Sequence, residues 1–221
     1  MKYTDEFKII DTPNKAYLLG LIYSDGSIIN NIGQSYCCRI KINDVELLDR
    51  IVEVFPFFCL PKKEKYHKCW LIYCYSKQLV IDLMSHGLVP SKSMKNKDLL
   101  GNPGKLLYPG DFLRGVFDGD GNVYVNSTNN KRITLYGNCA SFFKYIMAIY
   151  DEYDIRYCVI ARRNQYELKV GRQTSIINLV NLMTNHNALY LQRKWDVINN
   201  FTWSKNFNSN EYSKNRKPCP L

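Results

Sequence analysis

The sequence predicts an α+β protein made of two matched halves, on three observations. A nonapeptide occurs twice: Leu18 to Gly26 reads LLGLIYSDG and Leu113 to Gly121 reads LRGVFDGDG, sharing the first Leu, the third Gly and the closing Asp-Gly. The same pattern of helix, two strands, helix, two strands, helix can be read around each copy. The offset of 95 residues, from Asp25 to Asp120, also relates Asn43 to Asn138, Leu47 to Phe142 and Ile51 to Ile146, so the repeat extends beyond the nonapeptide.

In the first half, Thr12-Pro13 supplies an N-cap and a first helical residue, and Asn14 to Ser24 continues as an apolar helix. Asp25-Gly26 ends it, Gly26 being suited to a left-handed conformation past a helix end. A strand near Ser27 to Asn30 turns around Asn30 to Gly33 into a second, Ser35 to Ile42, which sets Cys38, Ile40 and Ile42 against Arg39 and Lys41. Asp44 opens an amphipathic helix through Leu47, Leu48, Ile51, Val52 and Phe55. Trp70 to Tyr75 reads as a strand and Ser76 to His86 as a helix ending at Gly87.

The second half repeats this order. A helix over Asp111 to Gly119 leads to a strand alternating Val123 and Val125 with Asn122, Tyr124 and Asn126. The next strand sets Ile133 and Leu135 against Arg132, Thr134 and Tyr136. A helix covers Cys139 to Glu152 with Asn138 as its cap, a hairpin pairs Arg156 to Arg162 with Tyr166 to Val170, and a helix runs over Thr174 to Thr184. Gly101, Pro103, Gly104 and Pro109 mark a linker. The expected division is residues 1–98 and 111–203 for the halves, 99–110 for the linker and 204–221 for a polar, poorly ordered tail.

With 221 residues, 46% of them hydrophobic, the chain can bury a sizeable core. Thirty basic against 20 acidic residues leave a net charge of +10, which favours a polyanionic partner, nucleic acid ahead of an anionic membrane surface. No apolar run is long enough for a transmembrane helix, and the N-terminus lacks a signal-peptide core. The eight cysteines are scattered without CxxC pairing; Cys69 and Cys74 beside His67 read as reduced thiols ahead of a zinc site. The expected address is intracellular, with no secretion and no membrane partner. The alternating strands leave a polar, basic face, on which Arg39, Lys41, Asn122, Tyr124, Asn126, Arg132, Thr134, Tyr136, Arg162 and Lys169 are the candidate nucleic-acid contacts.

The repeated nonapeptide carries the chemistry. Gly20 and Ser24, like Gly115 and Gly119, lie four residues apart and form a stripe of small residues on one helix face. Two such stripes facing each other let the backbones approach more closely than usual and bring Asp25 and Asp120 side by side. Helix C-termini already carry partial negative charge, so two carboxylates there need a cation. Oxygen-only ligands favour a hard divalent ion such as Mg²⁺, with Mn²⁺ or Ca²⁺ able to take the same place. A carboxylate-held metal beside a basic sheet points to phosphodiester hydrolysis.

Both nonapeptides resemble the motif of the LAGLIDADG homing endonucleases in the monomeric double-motif form, and the likeness runs over nearly the whole chain, from Asn14 to Ile198. The resemblance implies a pseudo-twofold αββαββα repeat, motif helices at the interface and antiparallel sheets forming a saddle over the DNA major groove. It implies that Asp25 and Asp120 bind Mg²⁺ with the carbonyls of Ser24 and Gly119, and that a monomer cuts both strands of a long asymmetric site with short 3′ overhangs. It also assigns a late basic residue to each half, here Lys92 and Lys194, with Lys95 and Arg193 as close alternatives. Tyr23 stands where the family often has an acid, which Asp118 retains; the expected effect is on interface packing. With its own Met and no flanking splicing blocks, a free-standing or intron-encoded enzyme is expected rather than an intein. Two other functions fit the same scaffold: an intron maturase binding RNA, and a regulator that binds DNA without cutting it. Retention of both acids favours the nuclease.

Overall fold

The computed structural model describes residues 2–31, 35–65, 68–90, 92, 100–163, 165–186 and 188–201. The turn expected at Asn30 to Gly33 lies partly, and His67, Lys95 and the polar tail lie wholly, outside the described residues.

Each half follows the predicted order. The first comprises α1 (Pro13–Ser24), β1 (Gly26–Asn31), β2 (Ser35–Ile42), α2 (Val45–Val54), β3 (Lys62–Lys63), β4 (Trp70–Cys74) and α3 (Lys77–Ser85). The second comprises α4 (Pro109–Asp120), β5 (Gly121–Val125), β6 (Lys131–Gly137), α5 (Ala140–Glu152), β7 (Cys158–Arg162), β8 (Gln165–Val170), α6 (Gln173–Thr184) and α7 (Gln192–Asn199). The two sheets share one topology, β1-β2-β4-β3 and β5-β6-β8-β7, every pairing antiparallel.

Helix α1 starts because Thr12 Oγ1 accepts the Lys15 amide at 3.2 Å and Pro13 fits the first turn. It is apolar all round, and Ala16 to Tyr23 are buried without a break, as expected of a helix enclosed by two subdomains rather than lying on one. Helix α4 is its counterpart, buried from Gly110 to Asp118. It begins two residues before the predicted Asp111, because Pro109 suits its first turn and Gly110 lies so near the Leu182 carbonyl of α6 that a Cβ would collide with it.

The strand faces divide as the alternation predicts. Ile40 lies between Gly26 and Ile72, and Leu135 between Gly121 and Leu168, on the faces toward the helices. Arg39 is opposite Ser27 and Tyr73, and Thr134 is opposite Asn122 and Lys169, on the other faces.

Four local expectations are corrected. Gly26 is not left-handed; the only glycines with positive φ among the described residues are Gly87 and Gly104. Its need is steric, since a Cβ would come within 2.5 Å of Ile22 Cα where the chain turns straight from helix into strand. Asp44 precedes α2 but its side chain makes no capping bond, because Arg193 holds it in an ion pair at 2.9 Å. Cys139, not Asn138, occupies the cap of α5, again without a side-chain bond. The strand carrying Val125 stops there, and Asn126 enters a turn in which its Oδ1 accepts from the Thr128 and Asn130 amides. Helix α7 went unpredicted, although Leu191, Trp195 and Ile198 keep helical spacing and all three are buried.

Candidate active site at the paired helix ends

Helices α1 and α4 form the most extensive contact between elements of the molecule. The small-residue stripe explains how. A Cβ on Gly20 would run into the Phe112 carbonyl, one on Gly115 into the Tyr17 carbonyl, and one on Gly119 into the Ser24 side chain. The same added atom on Gly119 would lie 3.2 Å from an Asp25 carboxylate oxygen, so the two helices end together.

Asp25 and Asp120 therefore share one neighbourhood, both reaching solvent. Among the described residues neither carboxylate is engaged by a hydrogen bond or ion pair. Crowding by protein raises Asp25 above the ordinary carboxylate range and, joined by the Asp25 charge, raises Asp120 to about 6. Two free carboxylates whose ionisation is opposed, at the negative ends of two helices, are a donor set that fits a hard divalent cation.

Lys92 and Lys194 approach these same ends. The Lys92 ammonium donates to the carbonyls of Tyr23 and, at 2.6 Å, Ser24. Lys194 donates to Phe117 at 2.8 Å, Asp118 at 2.7 Å, Gly119 at 3.2 Å and Gly121 at 2.7 Å. Each ammonium thus satisfies carbonyls that a helix C-terminus leaves unpaired. Burial lowers both lysines to about 8, opposed by the nearby acids: Asp120 and Asp25 at Lys92, Asp118 foremost at Lys194. Of the two basic residues considered in the second half, Lys194 meets the motif helix, whereas Arg193 turns to Asp44 of the first half. The carbonyls of Ser24 and Gly119, expected to face a metal, are both engaged by these lysines. A cleft of about 300 Å³ opens beside Asp25, lined by Lys41, Asp44, Gly119 and Arg193 among others.

Asp118, two residues before Asp120, is buried and accepts from the Tyr17 hydroxyl at 2.8 Å, the Leu191 amide at 2.6 Å and Trp195 Nε1 at 2.9 Å. Burial raises its pKa to about 6 against those three donors. The sign of the pH dependence follows. Asp118 and Asp120 hold protons more tightly in the folded chain than their ordinary value of 3.8, so unfolding releases protons between about pH 4 and 6. The metal-free protein is expected to lose stability as pH rises through that window and to level off above it. Chemical denaturation at pH 4, 5, 6 and 7 measures this, and millimolar Mg²⁺ should restore stability at pH 7 but not at pH 4.

The candidate nucleic-acid residues are not equally disposed. Lys41, Asn122, Tyr124 and Arg132 are exposed, the Arg132 guanidinium lying 5.0 Å above the Tyr124 ring. Arg39, Tyr136 and Lys169 are half-buried. Thr134, opposite Asn122 and Lys169, is only 1% exposed, and Asn126 is committed to its turn. Lys41 pairs with Glu64 at 3.0 Å. Sequence reasoning missed Glu167, which sits on the basic face and pairs with Arg162 at 2.9 Å and Lys169 at 2.6 Å. Its position opposite Tyr136 in the alternation was the signal that could have found it.

A family model described as the WhiA LAGLIDADG-like domain matches residues 14–86 and 110–200. No curated protein matches the sequence. Among solved structures, the homing endonuclease I-WcaI bound to its DNA recognition sequence is similar at a TM-score of 0.63 with 13% identity, over 86% of this chain and 89% of that one. I-DmoI in complex with DNA and Ca gives 0.58 with 14% identity, over 85% and 97%. Full-length DUF199/WhiA from Thermatoga maritima gives 0.51 with 12% identity, over 90% of this chain and 66% of that one. The shared fold is the two-subdomain LAGLIDADG architecture with its paired antiparallel sheets. Because the matched segments take in both motif helices and most of the chain, the protein belongs to the family of WhiA LAGLIDADG-like domains.

Proposed function

We propose that the chain is a divalent-metal-dependent endonuclease that cuts both strands of a specific DNA duplex. The observation that carries this reading is the Asp25–Asp120 pair, without a hydrogen-bond or ion-pair partner among the described residues, at two abutting helix ends. The oxygen-only set suits Mg²⁺, with Mn²⁺ or Ca²⁺ as substitutes. When bound, such an ion supplies an activated water and charge stabilisation at the leaving oxygen. The chain's own part is to fix the two acids and to bring Lys92 and Lys194 beside them, where an ammonium can offset charge developing on a phosphate. Ser24 and Gly119 would complete the site with carbonyls now shared with those lysines. A single chain with two unlike halves suits a long, asymmetric duplex read by a monomer, and DNA-bound I-WcaI, together with I-DmoI bound to DNA and Ca, supports the same reading.

The test is incubation with a randomised duplex library in Mg²⁺, followed by capture of newly formed ends. Recurrent breaks with short 3′ overhangs at one sequence are expected; a library that stays intact contradicts the proposal.

A second reading, DNA binding without cleavage, is favoured by two observations: the Ser24 and Gly119 carbonyls already have lysine partners, and the matched family is the WhiA one. A stable footprint on selected DNA with no strand scission in Mg²⁺ would decide for it.

On either reading Glu167 restrains the basic face. Glu167→Gln frees Arg162 and Lys169 for phosphates, so duplex affinity should rise several-fold at 50 mM salt. Its salt dependence should steepen by roughly one to two units of log–log slope, as about one counterion is released per new contact. Anisotropy titrations across a salt series measure both.

A further inference from the structure

The 95-residue offset pairs Tyr23 with Asp118, a motif position at which the two copies differ in chemistry. Neither side chain is bonded to Asp25 or Asp120; each holds a different part of the chain.

Tyr23 is buried, its ring stacked on Phe142 at 4.9 Å and edge-on to Phe112 at 5.4 Å, and its hydroxyl donates to the His86 carbonyl at the end of α3. Gly87 follows with φ +86°, and a Cβ there would lie 2.7 Å from the Tyr23 oxygen, so only glycine passes the phenol at this point. Lys92 comes five residues later and its ammonium returns to the Tyr23 and Ser24 carbonyls.

Asp118 does the corresponding work with reversed polarity. It accepts from the Leu191 amide and from Trp195 Nε1, one at the cap of α7 and one next to Lys194. Lys194 returns to the Asp118 and Gly119 carbonyls. The Tyr17 hydroxyl adds a third donor from the other half. A carboxylate this deeply buried is unfavourable unless its directional bonds matter, since an apolar residue could fill the same volume.

We infer that Tyr23 and Asp118 are the positioning residues of the two lysines: each grips the segment that delivers an ammonium to the end of its own motif helix. The phenol reaches a carbonyl and the carboxylate reaches two N–H groups, which is why a tyrosine in one copy and an acid in the other serve one purpose. The catalytic consequence rests on the endonuclease reading; the positioning does not.

The test uses the full chain carrying Tyr23→Phe or Asp118→Asn, with Trp195→Phe as a milder probe of the same contact should Asp118→Asn fail to fold. An amine-acylating reagent at fixed pH, read by mass spectrometry, reports access to each lysine, with exposed Lys77 as the internal reference. Tyr23→Phe should raise labelling of Lys92 by roughly fivefold to tenfold and leave Lys194 unchanged, the effect of one lost buried hydrogen bond. Asp118→Asn and Trp195→Phe should do the reverse. Equal rises at both lysines, or none at either, would overturn the inference. On cleavable DNA, a two-colour duplex should show each variant slowing the nicking of a different strand, through kcat with KM unchanged; equal slowing of both strands marks general destabilisation and also overturns it. Selective labelling in a chain that cuts no DNA would refute the endonuclease reading alone.

Discussion

Asp25→Asn and Asp120→Asn are each expected to reduce Mg²⁺-dependent cleavage on the order of 10³-fold or more, because the loss of one anionic ligand removes several kcal/mol of metal-assisted stabilisation. Duplex binding should persist, since the proposed phosphate contacts lie on the sheets, away from the acid pair. The same substitutions should have the opposite effect on the metal-free protein. Asn at position 120 removes a carboxylate whose ionisation is opposed by its surroundings and by Asp25, so the apo chain should become more stable at pH 7 and gain less from added Mg²⁺. A fall in activity combined with a rise in apo stability separates a functional acid from a structural one. Cleavage kinetics and denaturation of the same preparations measure both, and two variants that cut like the parent would refute the assignment.

Gly115→Val should be severely destabilising. Its new Cβ would collide with the Tyr17 carbonyl and come within 2.7 Å of the Leu21 amide nitrogen, and these are backbone atoms of a buried helix that cannot rotate away. Relief requires moving α1 from α4, which opens the main interface between the halves. Overpacking of this kind costs about 3 kcal/mol or more, and it also separates Asp25 from Asp120. Urea denaturation should show the loss of stability. Cleavage should fall even at temperatures where the variant remains folded, because helix separation, not unfolding, disables the acid pair. Gly104→Ala, in contrast, meets no atom within 4 Å; its cost is confined to the backbone strain of a φ of +75° and should leave cleavage unaltered.

Much of this arrangement was legible in the sequence because it rests on repetition and local patterning. The two nonapeptides gave the motif helices, their small-residue faces gave the close approach, and strand alternation gave the sheet faces. What escaped was set by contacts distant in sequence. Asp44 has the residue type and place of a helix cap, yet a partner 149 residues away claims it. Thr134 alternates correctly with Ile133 and Leu135, but it is buried on an inner strand of its sheet, which no single-strand pattern reveals. Glu167 was overlooked because the basic face was read from its cationic and neutral polar residues, without its acids. Tyr23, read as a departure from the motif, is bonded to a carbonyl 63 residues away. Choosing Lys194 over Arg193 likewise needed the orientation of α7, since neighbouring residues on a helix point in different directions.

Anomalous diffraction from crystals grown with Mn²⁺ tests whether the two acids share a metal, because the ion can be located whether or not the right DNA has been found. Density is expected in contact with carboxylate oxygens of both Asp25 and Asp120, absent when either is replaced by Asn. Manganese bound elsewhere, with the two acids bare in the same crystal, would contradict it.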